Sequence, residues 1–321
     1  MMASIQDKMI RPEAGHEYQG YEHCILCPRN CGADRRIKTG YCRESDMIRI
    51  ARAGLHMWEE PCISGIHGSG AIFFTGCNMG CVFCQNREIS RGGTGKEISV
   101  ERLAEIFYEL REQGANNINL VTGDIYIPSI MVAIDNVKKT GFDLPFILNT
   151  SGYLNLRSVE GLEGLIDIYL PDMKYIRDED ALKYSNAADY PKVCRAVIDE
   201  MVRQQPECVF EETEEGSMLK RGVVIRHLLM PGMLIQAKLI IKYLHDRYGD
   251  KIWLSLMNQY TPGGNLEEYP EINRLVSENE YRSLVKYAER TGITKGYIQD
   301  RTSADEDFIP DFDLSGVIER I

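Results

Sequence analysis

Three cysteines carry the strongest chemical signal in this chain. They stand in FFTGCNMGCVFCQN (73–86), where Cys77, Cys81 and Cys84 have the spacing C-x3-C-x2-C. Three thiolates on one tight loop can bind three irons of a four-iron four-sulfur cubane, which leaves the fourth iron open to a small molecule. Gly76 and Gly80 let the loop fold closely around such a cluster. A structural zinc knot needs four ligands, and the loop supplies three.

A second group lies upstream. Cys24, Cys27, Cys31 and Cys42 form C-x2-C-x3-C-x10-C. Four cysteines this close can close a tetrahedral zinc site or hold an auxiliary iron–sulfur cluster. They can also be reduced thiols that stabilise a loop, and the spacing leaves the three readings open. Eight of the ten cysteines fall within residues 24–84. Such clustering in a chain read as cytoplasmic points to metal or redox chemistry rather than disulfides. Cys62 reads as inert packing or a substrate-facing thiol, and Cys194, on an expected helix, as core.

The elements that must position these groups follow from the hydrophobic pattern. Six short, nearly continuous apolar runs are expected strands: 71–77, 117–123, 145–151, 166–174, 222–232 and 252–260. Amphipathic stretches alternate with them, several closed by glycine at Gly114, Gly141 and Gly249. Strand–helix alternation implies a parallel sheet with right-handed crossovers. Six such units fit a partial (β/α)6 barrel or a doubly wound sheet, with the barrel favoured. The cysteine loop then sits at the C-terminal end of the first strand, where α/β barrels place their chemistry. Residues 1–65 read as a Cys-rich, loop-rich N-terminal extension, 66–260 as the α/β core, and 261–321 as a C-terminal extension. The last contains a helix near 277–292, a short strand near 294–300 and an acidic, irregular tail.

The bulk composition limits the partners. The chain has 321 residues, 44% hydrophobic and 26% charged, with a formal net charge of −11. Its basic residues are scattered, so no extended nucleic-acid footprint is expected. No apolar run reaches bilayer-spanning length, and the N-terminus shows no leader-like apolar segment. A cytoplasmic protein acting on a small molecule, or on one presented by another protein, is expected.

The motif C-x3-C-x-aromatic-C, with Phe83 as the aromatic, resembles the radical S-adenosylmethionine (SAM) superfamily. More narrowly, residues 62–86, the CILCPRNCG segment (24–32) and the later strand ends resemble the pyruvate formate-lyase activating enzyme-related branch. A weaker resemblance extends to clostridial-type queuine lyases. The resemblance implies a [4Fe-4S] cluster on Cys77, Cys81 and Cys84. It also implies that SAM binds the open iron and is cleaved to a 5′-deoxyadenosyl radical after reduction by a donor such as flavodoxin or ferredoxin. Phe83 matches the aromatic packed near the adenine.

The resemblance also assigns the strand ends. Gly123 and Asp124, in Thr122-Gly123-Asp124, stand where most members carry Gly-Gly-Glu against the SAM amino group, so this chain keeps the carboxylate with a shorter reach. Asn149 and Ser151 lie in a segment similar to the Thr-Asn-Gly of activating enzymes. Asp172 and Lys174 resemble their Asp-Leu-Lys, with a cation for the SAM carboxylate. Arg226 matches a donor to the ribose or carboxylate. His227 beside it reads as structural. Met257, Gln259 and Tyr260 resemble the branch's Met-x-Gln-Tyr and read equally as core. The function implied is hydrogen abstraction from a substrate. The best candidate is queuosine or its 5′-phosphate with release of queuine, and the alternative is an activase that places a glycyl radical on a partner protein.

Overall fold

The computed structural model describes residues 20–91, 93–214, 216–263, 266–299 and 309–318. The residues at which a leader was looked for, 1–19, lie outside these, as do 300–308 of the C-terminal tail.

Among the described residues ten strands form one sheet: β1 (Ile48–His56), β2 (Ser69–Phe74), β3 (Lys96–Ile98), β4 (Ile118–Val121), β5 (Phe146–Thr150), β6 (Ile168–Pro171), β7 (Val209–Thr213), β8 (Gly216–Leu228), β9 (Trp253–Met257) and β10 (Gly296–Ile298). Their spatial order is β10-β9-β8-β6-β5-β4-β2-β1-β3, with β7 paired to β8. All neighbours from β2 to β10 along this path run parallel. The six expected strands are β2, β4, β5, β6, β8 and β9. They follow one another in chain order without a reversal, which makes the sheet singly wound. A doubly wound sheet would reverse direction at a switch point. The fold is therefore an α/β partial barrel, left open because β3 and β10 do not pair.

The crossovers are helical: α1 (Pro61–Ser64), α2 (Arg87–Ser90), α3 (Val100–Glu112), α4 (Ile127–Lys138), α5 (Leu156–Glu160), α6 (Asp178–Ser185), α7 (Tyr190–Gln204), α8 (Leu234–Tyr248) and α9 (Glu278–Thr291). Local sequence explains their ends. Ser99 caps α3 by accepting from the Arg102 N–H. Ser277 and Glu280 cap α9 reciprocally, and Gly292, at φ 94°, ends it. On α3 the residues Leu103, Ile106, Phe107 and Leu110 turn inward at helical spacing. None of the described helices is long and apolar enough to cross a membrane.

Side-chain alternation along the strands sorts the core in two. Phe146, Leu148, Tyr169, Val223 and Ile225 pack in the large cluster shared with the helices. Their alternates Ile147, Ile168, Leu170 and Val224 face a smaller cluster with Cys62 and Leu219. Cys62 is thus packing inside the barrel, where burial pushes its thiol up to about 12. Cys194 is core on α7.

The extension is not loop-rich throughout. Residues 20–47 form turns and bends, but β1 pairs antiparallel with β2 across Ile50–His56. Its period of two is broken by the bulge between Ile50 and Arg52 and diluted by small residues, so the pattern is weak in the sequence. The hairpin of β7 and the first half of β8 is likewise an addition to the expected strand.

Candidate functional site

The site grows from the end of β2. Gly76 and Gly80 both adopt φ +86°. A Cβ on Gly76 would overlap Glu44 and sit 2.9 Å from Ile125 Cδ1, and one on Gly80 would overlap the Arg91 guanidinium. Only glycine lets the loop turn this tightly between those neighbours. Arg91 Nη2 donates to the Gly80 carbonyl at 2.8 Å. The Met79 N–H donates to Cys77 Sγ at 3.4 Å, and the Ser185 hydroxyl, at the end of α6, donates to Cys81 Sγ at 2.9 Å.

The three thiols sense one another. Burial first, then Cys81 and Cys84, pushes the Cys77 thiol up to about 12. Like charges on such a loop call for a cation, and a coordinating metal deprotonates thiols outright. Three thiols, two glycine turns and open space above them fit a four-iron cluster with one iron accessible.

That space is a cavity of about 740 Å³ at the C-terminal ends of the parallel strands. Cys77, Cys81, Cys84 and Phe83 line one side, and Asn149, Ser151, Asp172, Lys174 and Arg226 line another. Met257 and Gln259 also reach the wall. Tyr260 is buried behind Phe83, with ring centroids 6.0 Å apart.

Gly123 and Asp124 are not part of the lining. Thr122, in a left-handed conformation at φ 59°, lines the cavity instead and turns the chain into the 3-10 turn that follows. The Asp124 carboxylate is buried and accepts from Thr150 Oγ1 at 2.9 Å. Burial raises its carboxyl to about 7, against hydrogen bonds from Thr150 and Ser151 that lower it.

Lys174 is half-buried, with its ammonium on the Asp172 carboxylate. Burial opposes its charge, but Asp172 and then Cys81 more than reverse this and hold the ammonium protonated. His227 Nδ1–H donates to the Met173 carbonyl at 2.8 Å, and burial lowers the imidazole to about 4. It is a neutral structural imidazole, as expected.

Several site residues were not picked out from sequence. Glu59 and Glu60, just before α1, both pair with Arg226, whose Nε donates to Glu60 Oε1 at 2.8 Å. Asn119 Nδ2 donates to Glu59 Oε1 at 2.7 Å. Two adjacent carboxylates before Pro61 were a legible signal, but their partner is 166 residues away. Tyr190 accepts from the Lys174 N–H at 3.0 Å, and its hydroxyl lies 2.9 Å and 2.8 Å from the carbonyls of Ser151 and Asp172, which ties the ends of β5 and β6 together. Trp58, Phe73 and Tyr297 line the cavity as well.

Comparison with known proteins found likenesses in sequence and in structure. Residues 71–211 match the radical SAM superfamily. An uncharacterised protein of Methanocaldococcus jannaschii is 27% identical over 282 residues, which cover 85% of this chain and 76% of that protein. Among solved structures, SuiB of Streptococcus suis bound to S-adenosylmethionine is similar with a TM-score of 0.48 and 10% identity, covering 70% of this chain and 48% of SuiB. The FeFe-hydrogenase maturase HydG of Carboxydothermus hydrogenoformans is similar with a TM-score of 0.48 and 16% identity, covering 79% and 55%. A domain of a pyruvate-formate lyase-activating enzyme from Bacteroides vulgatus gives 0.42 and 13%, covering 58% and 100%. The chain spans about half the length of the SuiB and HydG structures.

Proposed function

This chain is a radical SAM superfamily enzyme, and from that premise we propose that it abstracts hydrogen from a small ring-bearing substrate enclosed with SAM in the cavity above Cys77, Cys81 and Cys84. The cavity carries the reading. At about 740 Å³ it lies in the size range of small-molecule sites, large enough for SAM with room beside it. The wall away from the cysteines offers Trp58, Phe73 and Tyr297 to a flat ring. A nucleoside has that feature, and queuosine or its 5′-phosphate, losing queuine, is the member we name.

When bound and reduced, the cluster supplies the electron that cleaves SAM. The chain's own residues do the rest. Cys77, Cys81 and Cys84 hold the cluster, and Ser185 orients Cys81. Phe83 supports the adenine, Lys174 meets the SAM carboxylate, and Asn149 and Ser151 present short polar groups to the ribose or methionyl part. Together these groups position the reactants, on which the selectivity of the reaction rests. A flavodoxin- or ferredoxin-type donor in the cytoplasm would deliver the electron.

The test is anaerobic incubation of the reduced, cluster-loaded enzyme with SAM and queuosine or its 5′-monophosphate, followed by mass spectrometry. Free queuine alongside SAM cleavage is expected. Release of 5′-deoxyadenosine with no free base, at full cluster loading, rejects the lyase reading and favours an activase.

A further inference from the structure

The upstream cysteines are gathered into one knot. Tight turns set it: the Cys24 N–H donates to the Ala33 carbonyl at 3.0 Å, the Gly32 N–H to Cys24 at 3.1 Å and the Asn30 N–H to Cys27 at 3.0 Å. Asn30 and Gly32 take left-handed conformations at φ 40° and 61°. Cys24, Cys27 and Cys42 are buried and Cys31 is exposed. All four lie within electrostatic reach of one another. A Cβ built on Gly40 would stand 3.4 Å from Cys42 Sγ and 3.5 Å from Cys31 Sγ.

The knot is furnished for negative sulfur. The guanidinium of Arg35, 1% exposed, sits within electrostatic reach of Cys42 and Cys24. Its own donors reach the carbonyls of Glu44 at 3.2 Å and Ile125 at 2.6 Å, so it is fixed in place. Neutral thiols that merely pack do not need a buried cation beside them.

We propose that Cys24, Cys27, Cys31 and Cys42 hold an iron–sulfur cluster, separate from the one at Cys77, Cys81 and Cys84. Iron–sulfur is preferred to zinc on geometry. Four thiolates around one zinc stand about 3.8 Å apart, as Zn–S bonds of about 2.3 Å in a tetrahedron require. Among the described residues no three of His, Cys, Asp and Glu converge on a single-ion position. Cys77, Cys81 and Cys84 do not either, and there the superfamily implies a four-iron cluster, whose ligands bind different irons and stand apart. The knot also touches that first site. Arg29, between Cys27 and Cys31, donates to the carbonyls of Asn78 at 2.8 Å, Met79 at 3.1 Å and Ser185 at 3.3 Å, so one side chain joins the two cysteine loops.

The experiment uses the full chain with Cys77, Cys81 and Cys84 all changed to Ala. The protein is purified anaerobically, reconstituted with iron and sulfide, and analysed for iron, sulfide and zinc with Mössbauer spectroscopy. The expected result is roughly two to four irons per chain with matching sulfide and a cluster spectrum. A folded triple variant without iron, or with one zinc per chain in its place, overturns the proposal. Should that variant not fold, wild-type iron decides. More than four per chain supports a second cluster, and four or fewer in enzyme that cleaves SAM overturns it.

Discussion

Replacing Arg226 with Met tests the electrostatic design of the cavity wall. Arg226 and its partners Glu59 and Glu60 have side chains 11%, 7% and 5% exposed. Burial alone would push the Glu60 carboxyl up, but the Arg226 charge and hydrogen bonds hold it below its ordinary range. The variant leaves two carboxylates in the wall without their cation. Breaking a buried pair from one side costs about 3–5 kcal/mol near neutral pH. The sign of the pH dependence also reverses. In the wild type Glu60 is depressed, so its contribution is full above its unfolded pKa, near 4.5, and is lost as pH falls through the folded value. In the variant Glu60 is raised by unrelieved burial. Its folded state then binds the extra proton, and stability falls as pH rises from about 5 to 8, by up to about 1.4 kcal/mol per pH unit. Denaturant unfolding across that range, on apo protein kept reduced, reads both effects. Changing Glu59 and Glu60 to Gln as well should recover most of the loss, because no charge is left unpaired. A variant with wild-type stability and slope, or a triple variant no better than Arg226→Met, would refute the reasoning.

Three further outcomes are expected. Gly76→Ala forces a side chain into a left-handed backbone against Glu44 and Ile125, so it should lose about 1–2 kcal/mol or more and retain less iron; thermal unfolding and iron content equal to wild type would count against the loop geometry. Asp124, raised from 3.8 to about 7, stabilises the protein most below its unfolded pKa, and that contribution fades as pH rises through 7, by on the order of 4 kcal/mol at most. Asp124→Asn should therefore flatten the stability profile between pH 4 and 7, and an unchanged profile in urea titrations sinks the assignment. Lys174→Ala should weaken SAM binding to the loaded enzyme about ten- to a hundredfold, the scale of one charge-assisted hydrogen bond, and calorimetry showing normal affinity would mean that Lys174 serves Asp172 alone.

What the sequence determined by itself were the features written in local spacing. The C-x3-C-x2-C loop and its two glycines are contiguous, and glycine permits the positive φ they adopt. The six central strands were legible because strands buried on both faces read as unbroken apolar runs. β1 was not, since its bulge and small residues blur the alternation. The tertiary structure alone decided between a barrel and a doubly wound sheet, because that depends on which strands neighbour one another and not on any one segment. It alone paired Arg226 with Glu59 and Glu60, and put Thr122 rather than Asp124 on the cavity wall. It also tied the upstream cysteine knot to the Cys77–Cys81 loop through Arg29. Such contacts join residues up to 167 positions apart. A charge in the sequence states only that a partner is needed once it is buried; chain folding chooses which partner arrives.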